Sequence, residues 1–314
     1  MNGVFKPNQD GEGPHDRQKR YRGGVKNSRT FGQDLMRGEG PAWIRMTESS
    51  EKYNRDGSDV NAEASGASIF DPVLCEMVYR WFCIPNGKVL DPFAGGSVRG
   101  IVAGTLGYKY IGIELSRRQI DANREQAHQI LHAAANGFVP ANGDGSKPGR
   151  VQWVEGDARD IERLAGGGKY DLFFSCPPYG DLEQYSDDPR DLSTMPHEAF
   201  LEAYRAVIKS SVGMMRENRF ACFVVGDYRD QKGLYRNFVS DTIAAFESAG
   251  MRLYNEAILV TAVGSLPIRV GRAFGSYRKL GKTHQNVLVF FNGDPQVIKK
   301  EFPDIEIRDD FLTS

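Results

Sequence analysis

The chain has 314 residues, enough to bury a sizeable core, and its 40% hydrophobic and 26% charged residues are ordinary for a globular enzyme. Its 40 basic and 41 acidic residues leave a formal net charge of −1, so only local basic patches could bind nucleic acid. No apolar run approaches the roughly 18–20 residues that span a bilayer, and we expect no contact with a membrane.

The four cysteines lack the CxxC spacing of zinc sites and redox motifs. The amino terminus is polar and glycine-rich, without the apolar core of a signal peptide. We therefore expect no metal, no disulfide framework and a reduced, cytoplasmic compartment.

Residues 1–66 are rich in Gly, Asn, Ser, Asp and Arg, and they show little periodicity. A basic stretch from Arg17 to Arg29 is interleaved with Tyr21 and followed by Phe31. Such a stretch suits an arm along a phosphate backbone, but the composition also fits a solvated tail. We predict a basic, partly disordered arm over residues 1–66, one domain over 67–293 and a C-terminal tail over 294–314.

From Ser68 onward, helical and strand patterns alternate along the chain. The predicted strands are residues 88–93, 108–115, 151–155, 169–175, 220–225, 253–261 and 285–291. The predicted helices follow Ser68, Ser97, Ser116 and Pro196, and a last one covers residues 234–249. This alternation predicts an α/β fold with a doubly wound, mostly parallel seven-stranded sheet. Residues 264–282 are predicted to be a loop, which makes the last two strands antiparallel neighbours.

The first strand runs into Asp91-Pro-Phe-Ala-Gly-Gly-Ser97. Gly95 and Gly96 allow a ligand to approach the backbone, and the helix that follows offers unpaired N–H groups. Glu114 ends the second strand, where an acidic group can accept hydrogen bonds from both hydroxyls of a ribose. The pair predicts a nucleoside cofactor, with a purely structural turn as the alternative.

Asp157 follows the third strand, at the same predicted edge of the sheet. Its carboxylate is able to accept a hydrogen bond from the amine of an adenine ring, or only to cap the next turn. The sequence leaves both interpretations open.

The fourth strand stops at the rigid corner Cys176-Pro177-Pro178-Tyr179, because neither proline can donate to a sheet. Backbone carbonyls and the side chain at position 176 can accept the hydrogens of an amine and stabilise the positive charge that develops on it. Tyr179 offers a ring on which a flipped base can stack. The alternative is a turn that only ends the strand.

These motifs resemble those of S-adenosylmethionine-dependent methyltransferases that modify exocyclic amines of DNA bases, the adenine N6 and cytosine N4 enzymes. Their cofactor loop Asp-Pro-Phe-x-Gly-x-Gly is similar to residues 91–97, and their catalytic (Asp/Asn/Ser)-Pro-Pro-(Tyr/Phe/Trp) is similar to residues 176–179. Phe70 matches an aromatic residue that packs on the cofactor, and residues 284–290 match the closing strand. The chain departs from the family at Ser97, in place of glycine, and at Cys176, whose thiol is a weaker acceptor than Asp, Asn or Ser.

The resemblance implies a Rossmann-like methyltransferase fold with an antiparallel last strand and S-adenosylmethionine as the cofactor. The residues it implies for cofactor binding are Phe70, Asp91, Phe93, Gly95, Gly96, Glu114 and Asp157. The residues it implies for catalysis are Cys176, Pro177, Pro178 and Tyr179.

Basic and aromatic residues alternate in the predicted loop over residues 264–282, close to the sheet edge. We predict that this loop contacts DNA, with a solvated loop as the alternative. Its candidate DNA-binding residues are Arg269, Arg272, Arg278, Lys279 and Lys282. A second polar segment, residues 181–195, is acidic and is a candidate lid.

Together these features predict methyl transfer from S-adenosylmethionine to an exocyclic amine of a flipped DNA base, with adenine N6 slightly favoured over cytosine N4. One alternative is an RNA base-amine methyltransferase. Another is a non-catalytic DNA-binding protein of the same fold. The oligomeric state is left open.

Overall fold

The computed structural model describes residues 70–135, 148–180, 185–260 and 266–305. The predicted arm over residues 1–66 lies outside the described residues. The strands are β1 Lys88–Asp91, β2 Lys109–Glu114, β3 Val151–Glu155, β4 Tyr170–Ser175, β5 Met215–Val225, β6 Arg252–Val260 and β7 His284–Asn292. The α-helices are α1 Pro72–Phe82, α2 Val98–Thr105, α3 Arg117–Ala135, α4 Ile161–Leu164, α5 His197–Gly213, α6 Phe238–Ser248, α7 Leu266–Tyr277 and α8 Ile298–Glu301. Short 3-10 turns lie at Ala158–Asp160, Leu192–Thr194 and Pro295–Val297.

The seven strands form one sheet in the order β3-β2-β1-β4-β5-β7-β6. Neighbouring strands from β3 to β5 run parallel, whereas β7 runs antiparallel to both β5 and β6. This order, with an antiparallel β7 between β5 and β6, confirms the predicted Rossmann-like α/β fold with a mostly parallel seven-stranded sheet and the antiparallel pairing of the last two strands.

Helices cover both faces of the sheet, so alternate residues of a strand enter different cores. Leu172 and Phe174 of β4 lie in the core that α1, α2 and α3 cover. Phe173, between them, lies in the core that α5 and α6 cover. All six residues of β4 are buried, as expected for a central strand with helices on both faces of the sheet.

Helix α1 begins where the sequence places a proline after an aspartate. Asp71 accepts hydrogen bonds from the backbone N–H groups of Val73 and Leu74, at 2.8 and 3.1 Å, and Pro72 occupies the first helical position. The cap sets the direction of the chain at Phe70, just before the helix.

The prediction of a loop over residues 264–282 is wrong, because most of this segment is helix α7. Gly271 and Gly275 weakened the helical pattern in the sequence, although a glycine inside a helix costs only about 1 kcal/mol. The helix predicted to begin at Leu234 begins instead at Phe238, because Tyr235 pairs with Arg229 across a short antiparallel bridge.

The described part of the predicted C-terminal tail packs on the domain. Glu301 forms an ion pair with Arg219 at the start of the buried part of β5. The ring of Phe302 lies 5.1 Å from that of Phe220, edge to face. Within the described ranges, no helix combines the length and the apolar character that a membrane crossing needs.

Candidate active site

The carboxyl ends of the parallel strands meet at one edge of the sheet. Strand β1 lies between β2 and β4, so the loop after Asp91 stands between Glu114 and the corner that begins at Cys176. Ligands of open α/β sheets bind at this edge. The fold therefore brings the predicted cofactor loop and the predicted catalytic corner side by side.

The crest of the loop after β1 is open on its outer side. Gly95 has a φ of +50°, which favours glycine, and a Cβ added at Gly95 or Gly96 would meet no atom within 4 Å. The Gly95 N–H donates to Glu114 at 2.9 Å, and the buried amide of Asn123 donates to the Gly95 carbonyl at 2.7 Å. The loop is thus held from below while its crest stays accessible.

Glu114 is half-buried at the end of β2, as predicted. Its carboxylate also accepts the Ser116 N–H at 2.8 Å. Burial is the main cause of a raised pKa for Glu114. Backbone donors, with Ser116 and Gly95 the strongest, oppose this shift, and the charge of Asp191 adds to it. Each carboxylate oxygen has two lone pairs, so Glu114 retains capacity to accept further hydrogen bonds.

Asp91, the last residue of β1, lies inside the protein. Its side chain is fully buried, and both carboxylate oxygens accept hydrogen bonds from protein groups. Arg99 and Tyr110 donate to Oδ2 at 2.7 and 2.6 Å, and Ser175 and the Phe93 N–H donate to Oδ1 at 2.5 and 3.2 Å. Asp91 therefore binds groups of the protein itself, and its contact with the cofactor stays a prediction.

Sequence reasoning missed Arg99, which is 5% exposed in the first turn of α2. Its guanidinium donates to the carbonyls of Phe93 and Ala94 at 2.6 and 3.0 Å. The available signal was a lone charged residue in an otherwise apolar helix directly after a glycine loop.

The two predicted aromatic residues of the cofactor site pack in different directions. Phe70 is half-buried beside the Arg99 guanidinium, 4.7 Å from the ring centroid, and it meets Phe174 edge to face at 5.7 Å. Phe93 faces the other side of the sheet, with its ring 6.1 Å from that of Tyr204.

Asp157 caps the turn after β3, which is one of its two predicted roles. It accepts the Arg159 N–H at 2.9 Å and pairs with the Arg159 guanidinium at 2.6 Å. Burial by itself would raise the pKa of Asp157, but the Arg159 hydrogen bonds, with a further contribution from Arg190, lower it.

Residues 185–195, the described part of the acidic segment, lie near the predicted cofactor loop. The charges of Asp191 and Arg190 act on Glu114 and Asp157 respectively, as the pKa shifts of those two carboxyls show. Asp191 itself accepts hydrogen bonds from Ser193 at 2.9 and 2.8 Å and stabilises a short turn. Asp191 and Arg190 of this segment therefore lie close to Glu114 and Asp157, two residues predicted to bind the cofactor.

Tyr179 anchors the corner after β4. Its ring meets those of Tyr228 and Phe238 edge to face, at 6.2 and 6.0 Å, and its hydroxyl accepts a hydrogen bond from Gln285 at 2.5 Å. Burial raises the pKa of Tyr179, so the phenol stays neutral at physiological pH. Cys176 and Pro178 are half-buried beside it, and Pro177 is buried.

Gly226, after β5, leaves room at which three polar side chains converge. A Cβ at this position would lie 3.4 Å from Lys282 Nζ, 3.8 Å from Gln285 Cγ and 3.9 Å from the Tyr179 hydroxyl. Lys282 also donates to the Asp227 carbonyl at 3.4 Å. Burial lowers the pKa of Lys282, although the charge of Asp227 opposes the shift. Lys282, predicted to bind DNA, thus lies beside Tyr179 at the predicted catalytic corner.

The other predicted DNA-binding residues lie on α7 or just after it. Arg269 and Arg272 are on the helix, and their side chains lie outside the described set. Arg278 lies over the ring of Phe274 and Lys279 over that of Tyr277, each 5.3 Å from the ring centroid.

A neighbouring hairpin extends this basic, aromatic face. The Lys279 amine would lie 2.5 Å from a Cβ at Gly233, and the Arg229 guanidinium lies 4.0 Å from the Tyr235 ring centroid. We call the face formed by Arg229, Tyr235, Tyr277, Arg278 and Lys279 the basic aromatic surface. Sequence reasoning did not include Tyr235 in it.

Among the residues that the structure describes, no group of His, Cys, Asp and Glu could hold a metal ion. Cys75, Cys83 and Cys222 are buried, and none of the four cysteines forms a disulfide.

No family model and no curated protein matches the chain. Among solved structures, TrmN from Thermus thermophilus is 16% identical to this chain, with a TM-score of 0.44. The match covers 71% of this chain and 49% of TrmN, so the chain spans about half the length of TrmN. A methyltransferase from Pyrococcus furiosus is 11% identical with a TM-score of 0.45, covering 80% of this chain and 97% of that one. Magnesium protoporphyrin IX methyltransferase from Synechocystis, solved with bound SAM, is 12% identical with a TM-score of 0.40, covering 89% and 91%.

Proposed function

We propose that the protein transfers a methyl group from S-adenosylmethionine to an exocyclic amine of a DNA base. The observation that carries this proposal is the adjacency of two features on neighbouring strands. The open Gly95–Gly96 loop follows β1, and the Cys176–Tyr179 corner follows β4, so a donor in one would face an acceptor in the other.

The residues around the loop fit the cofactor. The open crest at Gly95 and Gly96 admits a group close to the backbone, and Glu114 has acceptor capacity for ribose hydroxyls. Phe70 adds a half-exposed aromatic face nearby. Asp157 is a weaker candidate for the adenine amine, because Arg159 already occupies its carboxylate. When bound, S-adenosylmethionine supplies an activated methyl group.

The corner would hold the target amine and stabilise the charge that develops on its nitrogen. Carbonyls near Pro177 and the Cys176 side chain accept the two amine hydrogens, which favours a pyramidal nitrogen with an available lone pair. Tyr179 provides a face for the flipped base. No strong general base is required, since the surplus proton leaves to solvent after transfer.

The basic aromatic surface supports nucleic acid as the substrate. Arg278 and Lys279 supply charge for phosphates, while Tyr235 and Tyr277 are exposed rings on which bases can stack. Lys282 connects this surface to the corner, through its position beside Gly226. We take adenine N6 as the first target and cytosine N4 as the second.

Incubation with tritiated S-adenosylmethionine and either unmethylated duplex DNA or RNA of the same sequence, followed by nucleoside mass spectrometry, tests the proposal. We expect label in N6-methyladenine or N4-methylcytosine of the DNA. Label only in RNA would move the activity to RNA base amines. Cofactor binding by calorimetry decides the remaining case, because a chain that binds no S-adenosylmethionine and transfers no label is not a methyltransferase.

A further inference from the structure

A single buried carboxylate joins the two halves of the candidate site. Asp91 has no exposed surface, and its two oxygens serve different elements. Oδ1 accepts from Ser175 at 2.5 Å and from the Phe93 N–H at 3.2 Å, while Oδ2 accepts from Arg99 at 2.7 Å and Tyr110 at 2.6 Å.

The Ser175 bond reaches the catalytic corner. Ser175 is the last residue of β4, fully buried, and it directly precedes Cys176. Its hydroxyl is the side-chain link between the start of the corner and the end of β1. A shift of Asp91 would therefore move Ser175, which directly precedes Cys176, the residue that we place nearest the target amine.

The Arg99 bonds reach the cofactor loop. One guanidinium holds the Asp91 carboxylate and the carbonyls of Phe93 and Ala94, immediately before Gly95. Burial by itself would lower the pKa of Arg99, but the Asp91 charge raises it, so the guanidinium stays charged. The same guanidinium lies over the ring of Phe70.

We propose that the buried Asp91 carboxylate couples the cofactor loop to the catalytic corner, with Arg99 and Ser175 as positioning residues on its two sides. Occupation of the loop then orders the Cys176–Tyr179 corner before the target base arrives. The bonds form one contiguous path from Ala94 through Arg99 and Asp91 to Ser175, the kind of hydrogen-bond network that can carry coupling between two sites. This inference rests on the proposed function.

Hydrogen–deuterium exchange of the full chain, with and without S-adenosylhomocysteine, reads the coupling without depending on turnover. In the wild type we expect the cofactor product to protect a peptide covering residues 176–180. In Ser175→Ala this protection should be lost, while the calorimetric Kd for S-adenosylhomocysteine stays within about twofold of the wild-type value. Single-turnover methyl transfer should be about tenfold slower, since small misplacements of reacting groups slow chemistry by such factors. Ser211→Ala is the matched control, because Ser211 is buried on α5 and its hydroxyl has no hydrogen-bond partner among the described residues.

Variants on the two sides of the carboxylate should fail differently. Arg99→Lys keeps a charge but loses the planar fork that binds three oxygens, so we expect it chiefly to weaken cofactor binding. Ser175→Cys, close in shape and a weaker donor, serves if the alanine variant unfolds. Protection of the corner and wild-type transfer in both Ser175 variants would overturn the coupling while leaving the methyltransferase proposal intact. A wild type that binds no cofactor would overturn both.

Discussion

Gly96→Leu separates cofactor binding from folding more cleanly than other substitutions at the site. Gly96 is exposed, its φ lies outside the left-handed region, and a Cβ there meets no atom within 4 Å. The side chain should therefore cost little stability, and loss of glycine's freedom in the unfolded chain favours the folded state by about 0.4–1 kcal/mol. We expect the free energy of unfolding to change by no more than ~1 kcal/mol.

The same side chain should block the ligand that we place on the loop. Forcing extra carbons into occupied space costs typically about 1–3 kcal/mol. That cost corresponds to a roughly 5- to 150-fold rise in the Kd of S-adenosylmethionine.

Calorimetric titration with the cofactor and urea denaturation measure the two quantities. Gly213→Leu is the matched control, because Gly213 is also exposed with no atom near its Cβ position, at the far end of α5. Wild-type affinity in Gly96→Leu would show that the loop does not hold the cofactor. Equal weakening in both variants would show that the effect is not local.

Three further predictions address the corner and the basic aromatic surface. Tyr179→Ala should weaken binding of substrate DNA by about 1–3 kcal/mol, the value of one stacked base. Tyr179→Phe loses only the hydroxyl, so it should weaken binding by about 1 kcal/mol or less. Equal losses of the two variants in a fluorescence titration with DNA would contradict the stacking role. Burial lowers the pKa of Lys282, so between that lowered value and the ordinary 10.5 the unfolded chain binds more protons than the folded one. The stability of the wild type relative to Lys282→Met should therefore rise with pH across this window. Parallel urea-denaturation profiles of the two proteins across alkaline pH would contradict this prediction. Replacing both Arg278 and Lys279 by Gln should reduce the slope of log K for DNA against log salt by about 2, an effect that the exposed Lys209→Gln on α5 should not share.

Local patterns determined most of the architecture. Helix α3 begins at the predicted position and strand β3 has the predicted boundaries, because a capping serine and a short apolar run act over neighbouring residues. The parallel order of the early strands follows from alternation, since a crossover must pass a helix over one face of the sheet. The prediction failed at α7, where glycine and basic residues in the sequence favoured a loop and the helical pattern was weak.

Tertiary structure alone decided the partners of the polar residues. The sequence suggested that Asp91 and Asp157 face a ligand, but donors from other elements occupy the first and a neighbouring arginine the second. Gln285 donates to Tyr179 from 106 residues away, and Ser175 to Asp91 from 84 residues away, spacings that no local pattern encodes. The sequence thus determined which strand ends carry chemistry, through local patterns of strand, turn and helix. Which side chains face the site and which hold it in shape depended on contacts that form only when distant strands pair.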